Sequence, residues 1–199
     1  MTAAIVLKIT LDDVVPQVLR RVVVPINIRL DRLHLVIQAA IGWTNSHLWE
    51  IRVRDIGWGI PDPDWHGGPL DAAKARLIDV VQDTGAKTFK YIYDFGDGWE
   101  HTIKLERSRP IVPGTAELYP FLLEAVGARP MEDCGGPWGY AELLEAKNDI
   151  NHERHMEALE SIPDDFDPTA VDVRDLERRV DLLAKKWARK PAAKKPRLS

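Results

Sequence analysis

The alternation of ring or aliphatic side chains with polar ones between positions 89 and 105 predicts a β-hairpin. The alternating positions are Phe89, Tyr91, Tyr93, Phe95, Trp99, His101, Ile103 and Leu105. A period of two is typical of strands with one buried face. Asp97 and Gly98 lie between the two runs, and glycine accepts the positive φ of a tight turn. We therefore predict a hairpin over 87–106 whose aromatic face packs against another layer.

Similar patterns predict the remaining elements. Alternation predicts three further strands, over 4–11, 18–24 and 47–54. Apolar spacings of three and four predict helices over 31–41, 72–83, 117–126, 140–148, 151–160 and 173–187. Asp31 is the expected N-cap of the first helix, and Gly42 is its expected C-cap. Glycine and proline predict loops over 55–71 and 127–139, the first long enough for a lid or contact segment.

Strands dominate 1–106 and helices dominate the chain after 115, which predicts an α+β fold rather than alternating βαβ units. We expect one domain over 1–184, with a mostly antiparallel sheet packed against helices. The helices of the later half are the expected cover of the aromatic face. A chain of 199 residues that is 45% hydrophobic suits one globular domain with a substantial core.

The charge is distributed unevenly along the chain. Residues 185–199 hold seven of the 27 basic residues and no acid, so 1–184 carries 20 basic and 31 acidic residues. An acidic body disfavours nonspecific contact with nucleic acid phosphates. We predict a flexible basic tail, with contact to nucleic acid or an acidic partner as the alternative. The candidate contact residues are Arg20, Arg21, Lys185, Lys186, Lys190, Lys194 and Lys195.

Several classes of protein are disfavoured by what the sequence lacks. The single cysteine, Cys134, excludes an intrachain disulfide and a thiolate-rich zinc site. No apolar run approaches the ~20 residues that span a bilayer, and the N-terminus does not resemble a signal peptide. We therefore expect a cytoplasmic protein without membrane contact. Phosphate-binding, dinucleotide-binding and serine-hydrolase motifs are missing, so we predict no cofactor and favour a protein that is not an enzyme.

Ionisable residues gather at the hairpin tip and in the glycine-rich loop 132–136. In one hypothesis they form a polar pocket made of Asp94, Asp97, His101, Asp133 and Cys134, approached by His34 and His47. Carboxylates with histidine can hold a divalent cation or perform acid–base chemistry. Asp97, His101 and Asp133 are the candidate metal ligands in this hypothesis, and Cys134 is a candidate nucleophile.

The alternative hypothesis is structural, and the residue types favour it. Aspartates at turns commonly accept hydrogen bonds from turn amides, as Asp94 and Asp97 would do. Asp133 would bind the amides of the glycines that follow it. His101 alternates with the apolar positions, which is typical of a core histidine, and Cys134 would be a small residue in a tight loop.

Three ordered segments resemble one family. They run from Leu33 to Leu48, from Tyr91 to His101 and from Pro130 to Tyr140, and they contain the Gly42-Trp43, Tyr93-Asp94-Phe95-Gly96-Asp97 and Glu132-Asp133-Cys134-Gly135-Gly136 motifs. The chain resembles the plasmid pRiA4b ORF-3-like family over about 4–175. Leu19 departs from its pattern, because the family usually has tryptophan there.

The resemblance implies a compact α+β fold and an association with plasmids and transposable elements, and it brings no established activity. We expect a noncatalytic binding or accessory protein whose partner is a protein or a nucleic acid. A metal-binding protein or enzyme that uses the pocket at the hairpin tip is the alternative.

Overall fold

The structure, a computed structural model, describes residues 3–64, 67–110 and 119–188. Its strands are β1 (Ala3–Leu11), β2 (Leu19–Pro25), β3 (Trp49–Val53), β4 (Ile56–Gly59), β5 (Leu70–Asp71), β6 (Thr88–Tyr93), β7 (Trp99–Pro110) and β8 (Phe121–Val126). Its helices are α1 (Leu30–Ile41), α2 (Leu77–Thr84), α3 (Gly136–Asn148), α4 (His155–Ser161) and α5 (Val173–Trp187).

The described strands form one sheet in the order β5-β4-β3-β6-β7-β1-β2-β8. Every neighbouring pair is antiparallel except β4 and β5, which are parallel. The predicted α+β fold with a mostly antiparallel sheet is confirmed. The predicted hairpin is the β6–β7 pair at the centre of the sheet, where Tyr91 faces His101 and Tyr93 faces Trp99.

The aromatic face of the hairpin is covered by the first helix and not by the later half of the chain. Tyr91, Tyr93 and Trp99 are fully buried. Gln38 of α1 donates a hydrogen bond of 2.7 Å to the Tyr91 hydroxyl. Trp43, just beyond α1, lies 5.5 Å from the Trp99 ring. The expectation about the cover was wrong because α1 already fills this face, and α5 packs instead against α1 and β8.

The ends of α1 agree with the sequence at one terminus only. Gly42 is the C-cap, with a φ of 101° that glycine adopts readily. The N-cap is Arg29 rather than the predicted Asp31, which lies in the first turn of the helix. An acid in the first turn still complements the helix dipole, so Asp31 contributes electrostatically without capping by its side chain.

Two segments have more strand than the sequence predicted. The predicted helix over 117–126 is wrong from Phe121 onward, because that segment is β8 and pairs with β2; positions 111–118 lie outside the described residues. Pairing with a neighbouring strand here outweighs the helical preference of leucine, glutamate and alanine. The predicted loop over 55–71 contains β4 and β5, which extend the sheet beyond β3.

Arg20 is a fully buried residue that fastens β2 to its surroundings. Its guanidinium donates to four backbone carbonyls, of Leu19 and Ala40 at 2.8 Å, Val126 at 2.6 Å and Gly127 at 2.9 Å. Burial lowers its pKa to about 10. The prediction that Arg20 contacts a partner is therefore wrong, because its polar atoms are already bonded inside the protein.

We expect Arg20→Met to lower the free energy of unfolding by about 2–3 kcal/mol, because buried carbonyls lose a charged donor. Urea unfolding at pH 7 measures the change. Arg52→Met is the matched control, because Arg52 is exposed and bonds only Glu50 among the described residues; its expected cost is below about 0.5 kcal/mol. Equal costs for the two variants would contradict the role of Arg20.

The C-terminal helix continues past the predicted end of the domain. α5 ends at Trp187, three residues beyond 184, and positions 189–199 of the predicted tail lie outside the described residues. Among the described residues no helix is both long enough and apolar enough to cross a membrane.

Candidate metal centre at the hairpin tip

The loop between β6 and β7 is built around Asp94. The Gly98 amide donates to the Asp94 carbonyl at 2.7 Å, and Asp94 itself has a φ of 57°. Its Oδ1 accepts from the amides of Gly96 at 3.0 Å and Asp97 at 3.4 Å. Asp94 thus bonds turn amides, as the structural hypothesis expected, and this arrangement holds its carboxylate at a fixed place in the loop.

The side chain of Asp97 joins the hairpin tip to the second loop. Its Oδ2 accepts from the Cys134 amide at 3.1 Å, and its Oδ1 accepts from the Gly135 amide at 3.2 Å. The structural hypothesis predicts that Asp133 accepts from the amides that follow it. In the structure Asp97, from the hairpin loop, accepts from the amides of Cys134 and Gly135 instead. Asp97 consequently positions the two loops, since each of its oxygens accepts a hydrogen bond from an amide of the second loop.

His47 lies between Asp94 and Asp133, which come from the two loops. Its Nδ1 is 3.6 Å from Asp94 Oδ2, and its Nε2 is 3.4 Å from Asp133 Oδ1. One ligand atom from each residue can be chosen so that all three lie within 4.8 Å of one another. Asp94 is buried, with 8% of its surface exposed, whereas the Asp133 side chain is 76% exposed.

The imidazole of His47 packs against Tyr93, and one of its nitrogens makes no hydrogen bond among the described residues. Its ring contacts the Tyr93 ring edge-on, with 5.6 Å between the centroids. Its Nε2 atom is buried and makes no hydrogen bond within the described residues. A buried nitrogen that makes no hydrogen bond costs free energy, and a metal ion held together with Asp133 is one group that would occupy it.

Glu132 has a positioning role that the sequence analysis missed. Its carboxylate accepts from the Thr44 amide at 2.9 Å, from the Thr44 hydroxyl and from the Tyr93 hydroxyl at 3.3 Å. These bonds connect the loop before α3 to the segment after α1. Its place beside Asp133 was the available signal, but the positions of the amide and hydroxyls that donate to it follow only from the fold.

Two histidines of the predicted pocket lie in the core instead. His101 is fully buried, and its Nε2 accepts from Trp43 Nε1 at 3.2 Å. Its Nδ1 lies 3.1 Å and 3.2 Å from the carbonyls of Trp99 and Tyr91. His34 stacks on the Trp49 ring at 4.0 Å. The predictions that His101 is a metal ligand and that His34 approaches the pocket are wrong, because core partners occupy both rings.

Cys134 lies in the second loop as a protonated thiol. Its Sγ donates to the Met131 carbonyl at 3.2 Å. Burial, followed by the charge of Asp97, raises the pKa of the thiol to about 11. A nucleophilic cysteine needs a lowered pKa, so this environment does not suit the candidate nucleophile.

The remaining candidate contact residues differ in how much free charge they offer to a partner. Arg21 is neutralised by ion pairs with Glu106 and Glu124, so it offers little free charge to a partner. Lys185 and Lys186 lie exposed in the last turn of α5. Lys190, Lys194 and Lys195 lie outside the described residues.

Comparison with known proteins gives three likenesses. The model of the family described as plasmid pRiA4b ORF-3-like protein matches residues 3–175. An uncharacterised protein of Sinorhizobium fredii (strain NBRC 101917 / NGR234), y4hQ, is 59% identical over 196 residues, or 98% of this chain and 100% of that protein. The crystal structure of MM3350, a protein of unknown function from Methanosarcina mazei Go1, has a TM-score of 0.75 at 32% identity and covers 88% of this chain and 98% of its own.

Proposed function

The chain belongs to the plasmid pRiA4b ORF-3-like family, and we propose that it is a binding protein whose hairpin tip holds a divalent transition-metal ion. The observation that carries the proposal is the convergence of His47, Asp94 and Asp133 with ligand atoms within 4.8 Å of one another. An accessory role on plasmids or transposable elements stays a prediction.

The spacing of the three residues suits a metal ion. Ligand atoms at 2.0–2.2 Å from an ion lie about 3–4 Å from each other. One ion binds a single imidazole nitrogen, and with one ligand atom taken from each residue the three atoms lie within 4.8 Å of one another. Small movements of the exposed Asp133 side chain would bring it into place. The remaining coordination positions would be taken by water or by a ligand of the partner.

The donor set favours particular ions. One imidazole nitrogen suits zinc and other transition metals, while two carboxylates suit manganese and magnesium. A mixed set of this kind favours Zn²⁺ or Mn²⁺ over Mg²⁺, which prefers oxygen ligands and keeps several waters.

Charge and preorganisation give further support. Among the described residues, Asp94, Asp97 and Asp133 form no ion pair with a lysine or arginine. A cation would therefore balance negative charge that no lysine or arginine of the described residues neutralises. The Asp97 and Glu132 hydrogen bonds already fix both loops, so little conformational entropy remains to be lost on binding.

We expect isothermal titration calorimetry with Zn²⁺ and Mn²⁺ to detect one site per chain. Asp94→Asn and Asp133→Asn should each weaken binding by at least about tenfold, since even outer-shell changes at metal sites cost about 10–100-fold. Asparagine tolerates the positive φ at both positions and still accepts the amide hydrogen bonds of the Asp94 turn. Affinity should also fall as the pH is lowered, because protons compete for the ligands.

Asp164→Asn is the matched control, since Asp164 is an exposed loop residue away from the tip and its variant should bind like the wild type. Elemental analysis of the dialysed complex gives the stoichiometry independently. The proposal fails if the wild type binds neither ion, or if the three variants bind equally well.

A further inference from the structure

The N-termini of α1 and α2 meet at a second place on the molecule, formed by residues that are not part of the metal cluster. The N-cap residues are Arg29 for α1 and Arg76 for α2, and they pair through an isolated antiparallel β-bridge. Neither side chain caps its helix. Helix N-termini carry partial positive charge and normally attract acids or hydroxyls. Here Asp31 and Asp79 supply an acid in the first turn of each helix, while arginines occupy the cap positions.

A cleft of about 350 Å³ opens beside this bridge. The residues that line it include Arg29, Arg32 and Arg76, together with Tyr119 and Trp187. The Arg32 guanidinium lies 5.1 Å from the centroid of the Trp187 ring. Stacking on an indole covers the face of a guanidinium and leaves its N–H groups directed outward.

The three arginines retain donors after their internal contacts are counted. Arg29 uses Nε and Nη2 on the carboxylate of Asp31, at 2.9 Å and 2.7 Å. Arg76 donates from Nη1 to the Asn27 carbonyl at 2.8 Å. Each guanidinium has five N–H donors, so both keep several. Within the described residues, no carboxylate forms an ion pair with Arg32 or Arg76.

We infer that this arginine cleft, formed by Arg29, Arg32 and Arg76, binds a phosphate group. Asp31 pairs with Arg29, so among the described residues Arg32 and Arg76 keep positive charge that an anion would balance. Arginine's planar fork matches phosphate oxygens in a bidentate geometry. The inference is independent of the metal site, because it uses none of the residues at the hairpin tip.

The phosphate has two possible sources, a small phosphorylated molecule or the backbone of a single-stranded nucleic acid. The sequence around the cleft bears on the second source. Lys185 and Lys186 immediately precede Trp187 in α5, and the chain continues into positions 189–199, which hold five basic residues and no acid. Lys185 and Lys186 add positive charge next to Trp187, and clustered basic residues extend contact along a phosphate backbone.

Two titrations of the full-length protein test the inference. Inorganic phosphate is titrated while the arginine side-chain signals are followed by NMR, and a labelled fifteen-nucleotide oligothymidylate is titrated by fluorescence anisotropy at several salt concentrations. We expect saturable binding of phosphate in the wild type and at least about tenfold weaker binding in Arg32→Gln and Arg76→Gln, as each removes a charged donor. If the oligonucleotide is the source, each variant should also reduce the salt slope by about 0.7.

Arg54→Gln is the matched control, because Arg54 is an exposed arginine that bonds the Thr84 carbonyl outside the cleft. If Arg32→Gln does not fold, Arg32→Lys replaces it in the experiment, because lysine keeps a positive charge beside Trp187. Lysine lacks the bidentate fork of arginine, so this variant should still bind phosphate more weakly than the wild type. Phosphate binding without oligonucleotide binding assigns the cleft to small phosphorylated molecules. The inference is overturned if neither probe binds at low salt, or if the cleft variants bind as tightly as the control.

Discussion

Gly136→Ala is expected to lower the free energy of unfolding by about 3–4 kcal/mol and to abolish metal binding at the hairpin tip. Gly136 has a φ of +71°, and a Cβ built on it would lie 2.1 Å from the carbonyl oxygen of Asp97. A left-handed conformation costs a residue with a Cβ about 1–2 kcal/mol, and relief of the overlap costs about 1–3 kcal/mol more.

The effect on metal binding follows from what the overlap would move. The clashing atom belongs to the backbone of the hairpin loop, so relief separates that loop from the one before α3. This separation breaks the hydrogen bonds from Cys134 and Gly135 to Asp97 and increases the distance between Asp94 and Asp133. Urea unfolding and zinc calorimetry on the same preparation measure both consequences.

Gly85→Ala is the matched control for Gly136→Ala. Gly85 has a nearly equal φ of +67°, but an added Cβ would meet no atom within 4 Å. This control should therefore cost only about 1–2 kcal/mol and leave metal affinity unchanged. If the two substitutions have the same cost, or if Gly136→Ala still binds zinc like the wild type, the close approach of the loops described above is incorrect.

The second large effect concerns pH. We expect the free energy of unfolding of the metal-free protein to fall by about 4 kcal/mol between pH 7 and pH 5. Burial lowers the pKa of His34 and of His101 to about 4, against about 6.5 in the unfolded chain. The unfolded state therefore takes up protons first, and stability that is present above pH 6.5 is lost as the pH falls towards 4.

The hydrogen bonds explain why these rings resist protonation. Trp43 Nε1 is a donor, so His101 Nε2 must accept and its Nδ1 carries the single proton. In His34, the side-chain amide oxygen of Asn45 is 2.6 Å from Nε2, so Nε2 carries the proton. Nδ1 then accepts from the Tyr91 hydroxyl. A second proton on His101 would face the Trp43 N–H donor, and a second proton on His34 would remove the acceptor of the Tyr91 hydroxyl.

Unfolding experiments in chelator-treated buffer at pH 7, 6 and 5 measure the loss. His101→Gln should show about half of the wild-type difference between pH 7 and pH 5, since one of the two buried imidazoles is gone. NMR gives a check that does not depend on the stability of the variant: the His34 and His101 ring signals should keep their neutral-form shifts at pH 5. Imidazolium shifts at pH 5, or equal stability at both pH values, would contradict the buried neutral state.

Local patterns predicted well the parts of the fold that depend on neighbours in sequence. The alternation of Tyr91, Tyr93 and Trp99 identified the central hairpin because burial of one sheet face imposes a period of two. Gly42 identified the end of α1 because its positive φ is a local requirement. β8 escaped prediction, since the partner of Phe121–Val126 is β2, about 100 residues away, and its own residues suit a helix.

The sequence analysis assigned more residues to the polar pocket than the structure brings together. The structure brings together Asp94, Asp133 and His47. His101 alternates with the aromatic residues and is therefore buried with them in the core. Arg20 shows the same limit, because only the placement of Val126 and Gly127 reveals what its guanidinium bonds. The arginine cleft depends on the Arg29–Arg76 bridge, and no spacing in the sequence indicates that contact.

The three residues of the metal cluster come from stretches of chain separated by about 40 residues each. His47 follows the first helix, Asp94 follows the sixth strand, and Asp133 precedes the third helix. During synthesis the cluster is therefore incomplete until Asp133 has left the ribosome and its loop has docked on Asp97. An ion that binds only the finished arrangement would stabilise it by mass action. The availability of metal would therefore affect the docking of the two loops late in folding, and not the earlier pairing of the strands.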